Sequence, residues 1–308
     1  MPERAVTAPA KINLTLEIRS RRADGYHQLE SLVAFAIDAA DDVSLRPGPG
    51  FSLTVEGSEA GELSGENLIA RVAHAIGDAR PDLTIGAFRL TKRLPVASGL
   101  GGGSADAAAA IRLIAAVNDI ADPHAEFARL AATLGADIPV CIGGGGRKAA
   151  FMWGIGHEVW RPDGARLLPA GGLAAVLVNP RVAVSTAAVF KALGAGPLDE
   201  GELAAPELPP PLVDLDAVLA YVGDRTNDLE APAIGIAPVI AEVLETLSGL
   251  AGVRLARMSG SGATCFALFD DLETAIAGAS DLRTKCPGWW VAATRLCGVA
   301  RARGALAM

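Results

Sequence analysis

Nowhere in this chain of 308 residues does Gly-Lys occur, so the Walker A phosphate loop, which needs that pair followed by Ser or Thr, is excluded. G-x-G-x-x-G is never completed either: Gly99 and Gly101 meet Ser104 at the third position, and no other glycine cluster fits. The His-Arg-Asp and Asp-Phe-Gly signatures of protein kinases are missing. The four cysteines, Cys141, Cys265, Cys286 and Cys297, show no C-x-x-C spacing and the four histidines no H-x-x-x-H, which leaves a zinc site unsupported and suggests reduced, mostly core thiols. No apolar run approaches the ~18 residues of a membrane span. The first residues, MPERAVTAPAKINLTLEI, carry charge where a signal peptide needs an apolar core, so a cytoplasmic protein is expected. Excess positive charge is lacking too. A net charge of −8 and a pI near 5.1 argue against a nucleic-acid or anionic-membrane surface, and an anionic small molecule must be captured by a focused site.

What is present is enough chain for two domains and a hydrophobic content of 51%, which suits a globular protein. The stretch Pro95 to Ala110, PVASGLGGGSADAAAA, dominates the pattern. Gly99, Gly101, Gly102 and Gly103 cannot lie inside a helix, because each costs roughly 1 kcal/mol against alanine there. Ser104 is a good N-cap and Ala105 to Ala110 a strong helix former, with Asp106 expected in the positive first turn. A glycine loop running into a helix start aims several backbone N–H groups at one point, with the helix dipole behind them, and suits a phosphate chain. A tight packing connection is the competing reading of a lone glycine cluster.

Along the chain, Ile12 to Ile18 alternates apolar and polar residues as a half-buried strand does, and Lys11 and Asn13 fall on one side of it. Strand-like runs recur at 29–37, 43–45, 51–55 and 85–91, with a helix expected over 66–79. Asp122-Pro123 opens another helix, which Gly135 ends. Asp137 follows, wedged between apolar residues at an expected helix-to-strand turn, where it is either a turn residue or a placed base. Val176 to Asn179 reads as a buried strand. Ser185-Thr186 caps a short helix carrying Phe190, and the proline-rich 196–211 reads as an irregular excursion. Met258 to Thr264, with Ser259, Gly260, Ser261 and Gly262, is small enough throughout to let backbone approach a ligand or another backbone.

The motif P-x-x-x-G-L-G-G-G-S-x-D-A-A resembles the second motif of the GHMP small-molecule kinases. A-P-A-K-I-N-L-x-L around Lys11 resembles their first motif, and the 258–264 loop their third. The three occur in family order and cover nearly the whole chain. Arg22-Ala23-Asp24-Gly25-Tyr26-His27 is narrower: within the family it is similar to the turn of those members that phosphorylate a cytidine-diphosphate-linked methylerythritol for the non-mevalonate isoprenoid route.

The resemblance implies an α+β fold of two domains, 1–160 and 161–308, with the active site in the cleft between them. It implies ATP with Mg²⁺, the triphosphate on Pro95, Gly99, Leu100, Gly101, Gly102, Gly103 and Ser104, and Ser104 as a candidate metal ligand. Asp137 is implied as general base beside Lys11. Asn13 and Thr186 are placed with the substrate; Tyr26 and Phe190 would sandwich a cytosine whose edge is read near His27. The family's F-x-x-G-x-G-E is not matched after Gly146, where RKAAFMWGIGHEV stands instead, so the 143–158 hairpin is left outside the expected site. Asn227-Asp228-Leu229-Glu230 is expected to give structural support.

Overall fold

The computed structural model describes residues 2–21, 25–62, 65–96, 98–143, 148–162, 166–194 and 206–297. Gly144 to Gly146, Arg22 to Asp24, Ala97 and most of the proline-rich excursion therefore lie outside the described residues. The N-terminal half carries β1 (Arg4–Asn13), β2 (Glu17–Arg21), β3 (His27–Arg46), β4 (Phe51–Glu56), α1 (Leu68–Ala79), β5 (Gly86–Thr91), α2 (Gly102–Val117), α3 (Pro123–Leu134), α4 (Ile138–Ile142), β6 (Ala150–Gly154) and β7 (Glu158–Trp160). The C-terminal half carries β8 (Leu173–Asn179), α5 (Thr186–Leu193), α6 (Leu215–Gly223), α7 (Glu230–Ile236), α8 (Val239–Ser248), β9 (Val253–Met258), β10 (Cys265–Phe269), α9 (Leu272–Lys285) and β11 (Trp290–Leu296). The mixed helix and strand content is that of an α+β fold. No helix among the described residues is long and apolar enough to cross a membrane.

The spine is β3, a 20-residue strand that joins two stretches expected as separate strands. It pairs antiparallel with β1, β2, β5, β6 and β11, and the main path of the sheet runs β4-β5-β3-β11-β8-β10-β9. The two halves thus share hydrogen-bonded strands: Leu296 of β11 lies opposite Ala36, and the Cys297 N–H donates to the Phe35 carbonyl at 2.7 Å. β8 is buried at every position, as a central strand covered on both faces must be. Cys141, Cys265 and Cys297 are buried, and burial pushes the Cys141 thiol up to about 12, which leaves it inert.

The alternating run from Ile12 to Ile18 is two strands, not one. β1 ends at Asn13; the Leu14 N–H still donates to the Leu32 carbonyl of β3, and the Leu16 N–H donates instead to the Thr226 carbonyl, both at 2.8 Å. The alternation survives because the polar positions are buried and satisfied: the Asn13 amide donates to Ser31 Oγ at 2.7 Å, and Thr15 Oγ1 accepts from the Leu32 N–H at 3.0 Å.

Helix starts follow local chemistry at Asn67, Asp122 and Ser185, each of which accepts a first-turn N–H. α2 departs from expectation. It begins at Gly102, with Gly101 as an N-cap at φ 61° that offers no side-chain bond, so Ser104 lies within the first turn and Asp106 in the second. A left-handed glycine makes the sharp entry without a capping side chain, and the first N–H groups keep their donors free. Twelve of its residues are buried, and its alanines let it pack closely against β1, β3, α1 and α4. Beyond Asp137 the chain forms the short helix α4 where a strand was expected, because Pro139 suits a first turn and cannot donate to a ladder.

Two glycine loops meet where the halves join. Ser98 accepts through its carbonyl from the Thr264 N–H at 3.1 Å and from Thr264 Oγ1 at 2.6 Å. Gly99 holds φ +74°, and a Cβ there would lie 2.6 Å from the Gly262 carbonyl oxygen. A Gly99→Ala variant is therefore expected to lose roughly 1–3 kcal/mol or more in urea unfolding, the scale of a strained left-handed residue. Gly48→Ala, whose Cβ would meet nothing within 4 Å, should unfold like the wild type.

Candidate active site

Between the halves lies a cleft of about 1410 Å³. Lys11, two residues before the end of β1, is 4% exposed, and its ammonium donates to Asn13 Oδ1 at 3.1 Å and pairs with Asp137 Oδ1 at 3.0 Å. The alternation of an extended chain puts Lys11 and Asn13 on one side, so each steadies the other. The Asn13 N–H in turn donates to Ser259 Oγ at 3.0 Å, which ties the first motif to the third loop. The Lys11 N–H donates to the Leu100 carbonyl at 2.8 Å, and a Cβ at Gly101 would lie 3.2 Å from Lys11 Cε. Glycine at 101, at φ +61°, leaves that side chain room against the loop.

Pro95, Gly99, Gly101, Gly102, Gly103 and Ser104 line the cleft, as do Asn13, Tyr26, His27, Thr186, Phe190, Gly260, Ser261 and Gly262. Leu100 and Ser259 are not among the residues that line the cleft. Leu100 is fully buried and anchors the phosphate loop in the core, and Ser259 is spent on the Asn13 N–H. Asn227 holds the third loop from behind: its amide donates to the carbonyls of Met258 and Gly260, both at 2.9 Å. The Glu230 carboxylate accepts from the Met258 N–H at 2.8 Å, so the Asn227–Glu230 segment is a brace for that loop.

At the other end of the cleft, Phe190 on α5 stacks on His27, with ring centroids 4.9 Å apart and planes 26° apart. The sequence reading put Tyr26 opposite Phe190 with a cytosine between them. Tyr26, just before β3, lines the same cleft and is 61% exposed. Burial, and then the nearby Arg21 guanidinium, holds the His27 imidazole below its usual range, so it is neutral at pH 7. Thr186 Oγ1 and Ser261 Oγ lie 2.8 Å apart, and join α5 to the third loop.

The structure adds residues that the motifs did not point to. Met152 and Ile155 line the cleft, so the β6–β7 hairpin left out on sequence grounds takes part in its wall. Lys92 sits under the phosphate loop, 2% exposed, between the carboxylates of Asp41 at 2.5 Å and Asp106 at 3.0 Å. Burial, partly offset by Lys92 and reinforced by Asp41, pushes the Asp106 carboxyl up to about 8. The one signal available was charge inside apolar runs: Asp41 and Asp42 in a β-strand, and Asp106 among alanines. A further tie joins the two halves, where Arg181 makes a two-pronged pair with Glu59 at 2.8 and 3.0 Å.

Models of the GHMP kinases N terminal domain and the GHMP kinases C terminal domain match residues 67–145 and 214–288. A 4-diphosphocytidyl-2-C-methyl-D-erythritol kinase of Methylorubrum extorquens is 52% identical over 94% of this chain and 97% of its own. The enzyme of that name from Rhodopseudomonas palustris is 49% identical over 94% and 96%. A crystal structure of 4-(cytidine 5'-diphospho)-2C-methyl-D-erythritol kinase superposes with a TM-score of 0.69 at 31% identity, over 97% of this chain and all of that one. Homoserine kinase from Cytophaga hutchinsonii shares the fold, with a TM-score of 0.67 at 17% identity over 96% and 95% of the two chains. With a glycine loop, a buried lysine and an aspartate converging on one cleft, and with relatives alike over nearly their full length, the chain belongs to the GHMP kinase family.

Proposed function

We propose that this protein transfers the γ-phosphoryl group of ATP to the 2-hydroxyl of 4-diphosphocytidyl-2-C-methyl-D-erythritol, in the non-mevalonate synthesis of isoprenoid precursors. The observation that carries this reading is the Lys11–Asp137 pair, 3.0 Å apart, lying between the start of α2 and the His27–Phe190 stack in one cleft. The names of the most similar relatives support the choice of substrate.

Phosphoryl transfer asks little covalent chemistry of a protein; it asks for positioning, charge neutralisation and an acceptor for the hydroxyl proton. Asp137 is 36% exposed and reaches into the cleft, and it takes that proton through its carboxylate. Lys11, fixed by Asn13 and by the loop backbone, pairs with Asp137 and offsets the charge that develops on the attacking oxygen. The free N–H groups at the start of α2 receive the phosphate chain. Oxygen donors stand beside them at Ser104 and Asp106, and Asp106 Oδ1 is buried with no hydrogen-bond partner. Those hard oxygens would hold Mg²⁺, which would supply charge neutralisation for the transferring phosphoryl group.

His27 and Phe190 already touch face to face, so the cytosine stacks on an outer face of the pair or between it and Tyr26, not between the two rings. A nucleobase held there is a remote handle that orients the reacting hydroxyl. Homoserine and mevalonate carry no such handle.

The deciding assay is ADP release with the cytidylated erythritol beside homoserine and mevalonate; turnover of either of the latter at a comparable rate would sink the assignment. Asp137→Asn is expected to keep ATP and substrate binding by calorimetry while kcat falls ~10²-fold or more. Near-wild-type turnover would remove Asp137 from the mechanism. Phe190→Ala should weaken binding of the cytidylated substrate by roughly 1–3 kcal/mol and leave ATP binding alone, and 2-C-methyl-D-erythritol 4-phosphate should be a poor substrate for the wild type.

A further inference from the structure

Asp137 stands at the head of α4, a helix too short to hold itself in place. Five residues close only about two internal hydrogen bonds, and the last carbonyls of such a helix have no partner within it. Ile138 to Ile142 are all buried, but apolar burial has no direction and leaves the rotation and shift of a short helix loosely set. Two arginines supply the missing donors. Arg161, just past β7, donates through Nη2 to the Val140 carbonyl at 2.6 Å. Arg112, on α2, donates through Nη1 to the Cys141 carbonyl at 2.8 Å and through Nη2 to the Thr7 carbonyl of β1 at 2.9 Å.

That second bond gives Arg112 a part in the site. Thr7 and Lys11 lie four residues apart on β1, and Asp137 and Cys141 four apart on the α4 segment. The two segments are joined at both ends: Lys11 Nζ is 3.0 Å from Asp137 Oδ1, and the Arg112 guanidinium bridges Thr7 to Cys141. β1 is laddered to β3 from Arg4 to Asn13, so it is the fixed member. α4 belongs to no sheet and is the member that has to be placed. A planar guanidinium with a rigid fork of donors holds two acceptors at a set separation, which a single ammonium does not. α2 also opens with the phosphate loop, so the same helix carries, about 15 Å further along, the anchor of the segment that bears Asp137.

We propose that Arg112 is a positioning residue for phosphoryl transfer: by holding the Cys141 and Thr7 carbonyls on one guanidinium, it sets α4 against β1 and brings the Asp137 carboxylate to the reacting hydroxyl. The proposal rests on the kinase reading above. Arg112 does not line the cleft, and its effect passes through Asp137. Displacing a catalytic group by about 1 Å costs on the order of 10²-fold in rate, so a bond remote from the chemistry bears on it.

The test is a double-mutant cycle in kcat with Asp137→Asn, with ATP and the cytidylated erythritol as substrates. Arg112→Lys keeps the charge and an apolar stem but cannot fork to both carbonyls; it should fold, and circular dichroism and a thermal melt check it. In the wild-type background Arg112→Lys is expected to lower kcat roughly tenfold or more, with KM for both substrates within about twofold of the wild type. In the Asp137→Asn background the same change is expected to cost about twofold or less, because the group it positions is gone. An arginine that served the fold alone would lower kcat by one factor in both backgrounds, through loss of active protein. An equal factor in both would therefore overturn the proposal, as would wild-type kcat in Arg112→Lys or a rise in KM with kcat unchanged. Should the lysine variant not fold, Arg112→Gln, whose amide still donates to one carbonyl, runs the same cycle. Failure of both to fold would assign Arg112 to the fold and equally overturn its positioning role. A wild type that releases no ADP with any acceptor would instead overturn the kinase reading, and the proposal with it. Turnover of a different acceptor would overturn only the choice of substrate, and the cycle run on that acceptor is expected to give the same pattern.

Discussion

Close approach of backbone to backbone, at the seam between the two halves, is the constraint on which the rest of the structure depends. The phosphate loop can stand at the cleft only because Gly99 leaves room for the Gly262 carbonyl and Gly101 leaves room for the Lys11 side chain. Thr264 then closes the seam with two hydrogen bonds to the Ser98 carbonyl. Side chains at these positions would push the loops apart by more than a hydrogen bond tolerates. The residues that do chemistry are few, and most of the surrounding sequence serves to bring their backbones into contact.

The second layer is electrostatic. In an acidic chain, a polyanionic ligand is received by backbone N–H groups and by a single buried ammonium, Lys11, whose orientation is set by Asn13 and Asp137. The other buried lysine, Lys92, is neutralised by its own carboxylates and serves to hold the turn before Pro95. The same residue type thus does opposite work some distance apart, because Lys11 faces one partly exposed carboxylate and Lys92 faces two buried ones. Burial decides which charge is available to a ligand.

A third feature is the sharing of strands. The spine β3 begins at His27 beside the aromatic stack, runs past β1 with Lys11 and Asn13, and pairs with β11 of the other half. Both ends of the cleft are therefore referred to one rigid element, a condition that precise positioning of a hydroxyl against a phosphoryl group demands.

The sequence by itself determined the local pieces. Glycine density named a loop, Asn67, Asp122 and Ser185 marked helix starts through short polar side chains, and the three motifs supplied the residues found along one cleft. These signals are legible because they are written within a few residues of one another and depend on backbone conformation. What only the tertiary structure decided depends on partners far away in the chain. Leu100 and Ser259 sit inside motifs yet do not line the cleft, because the core and the Asn13 N–H claim them. His27 stacks on Phe190, a contact between β3 and α5 made by residues far apart in the chain. The Asp41–Lys92–Asp106 cluster joins residues from β3, the turn after β5 and α2, and no spacing in the sequence encodes the burial that gives those charges their meaning.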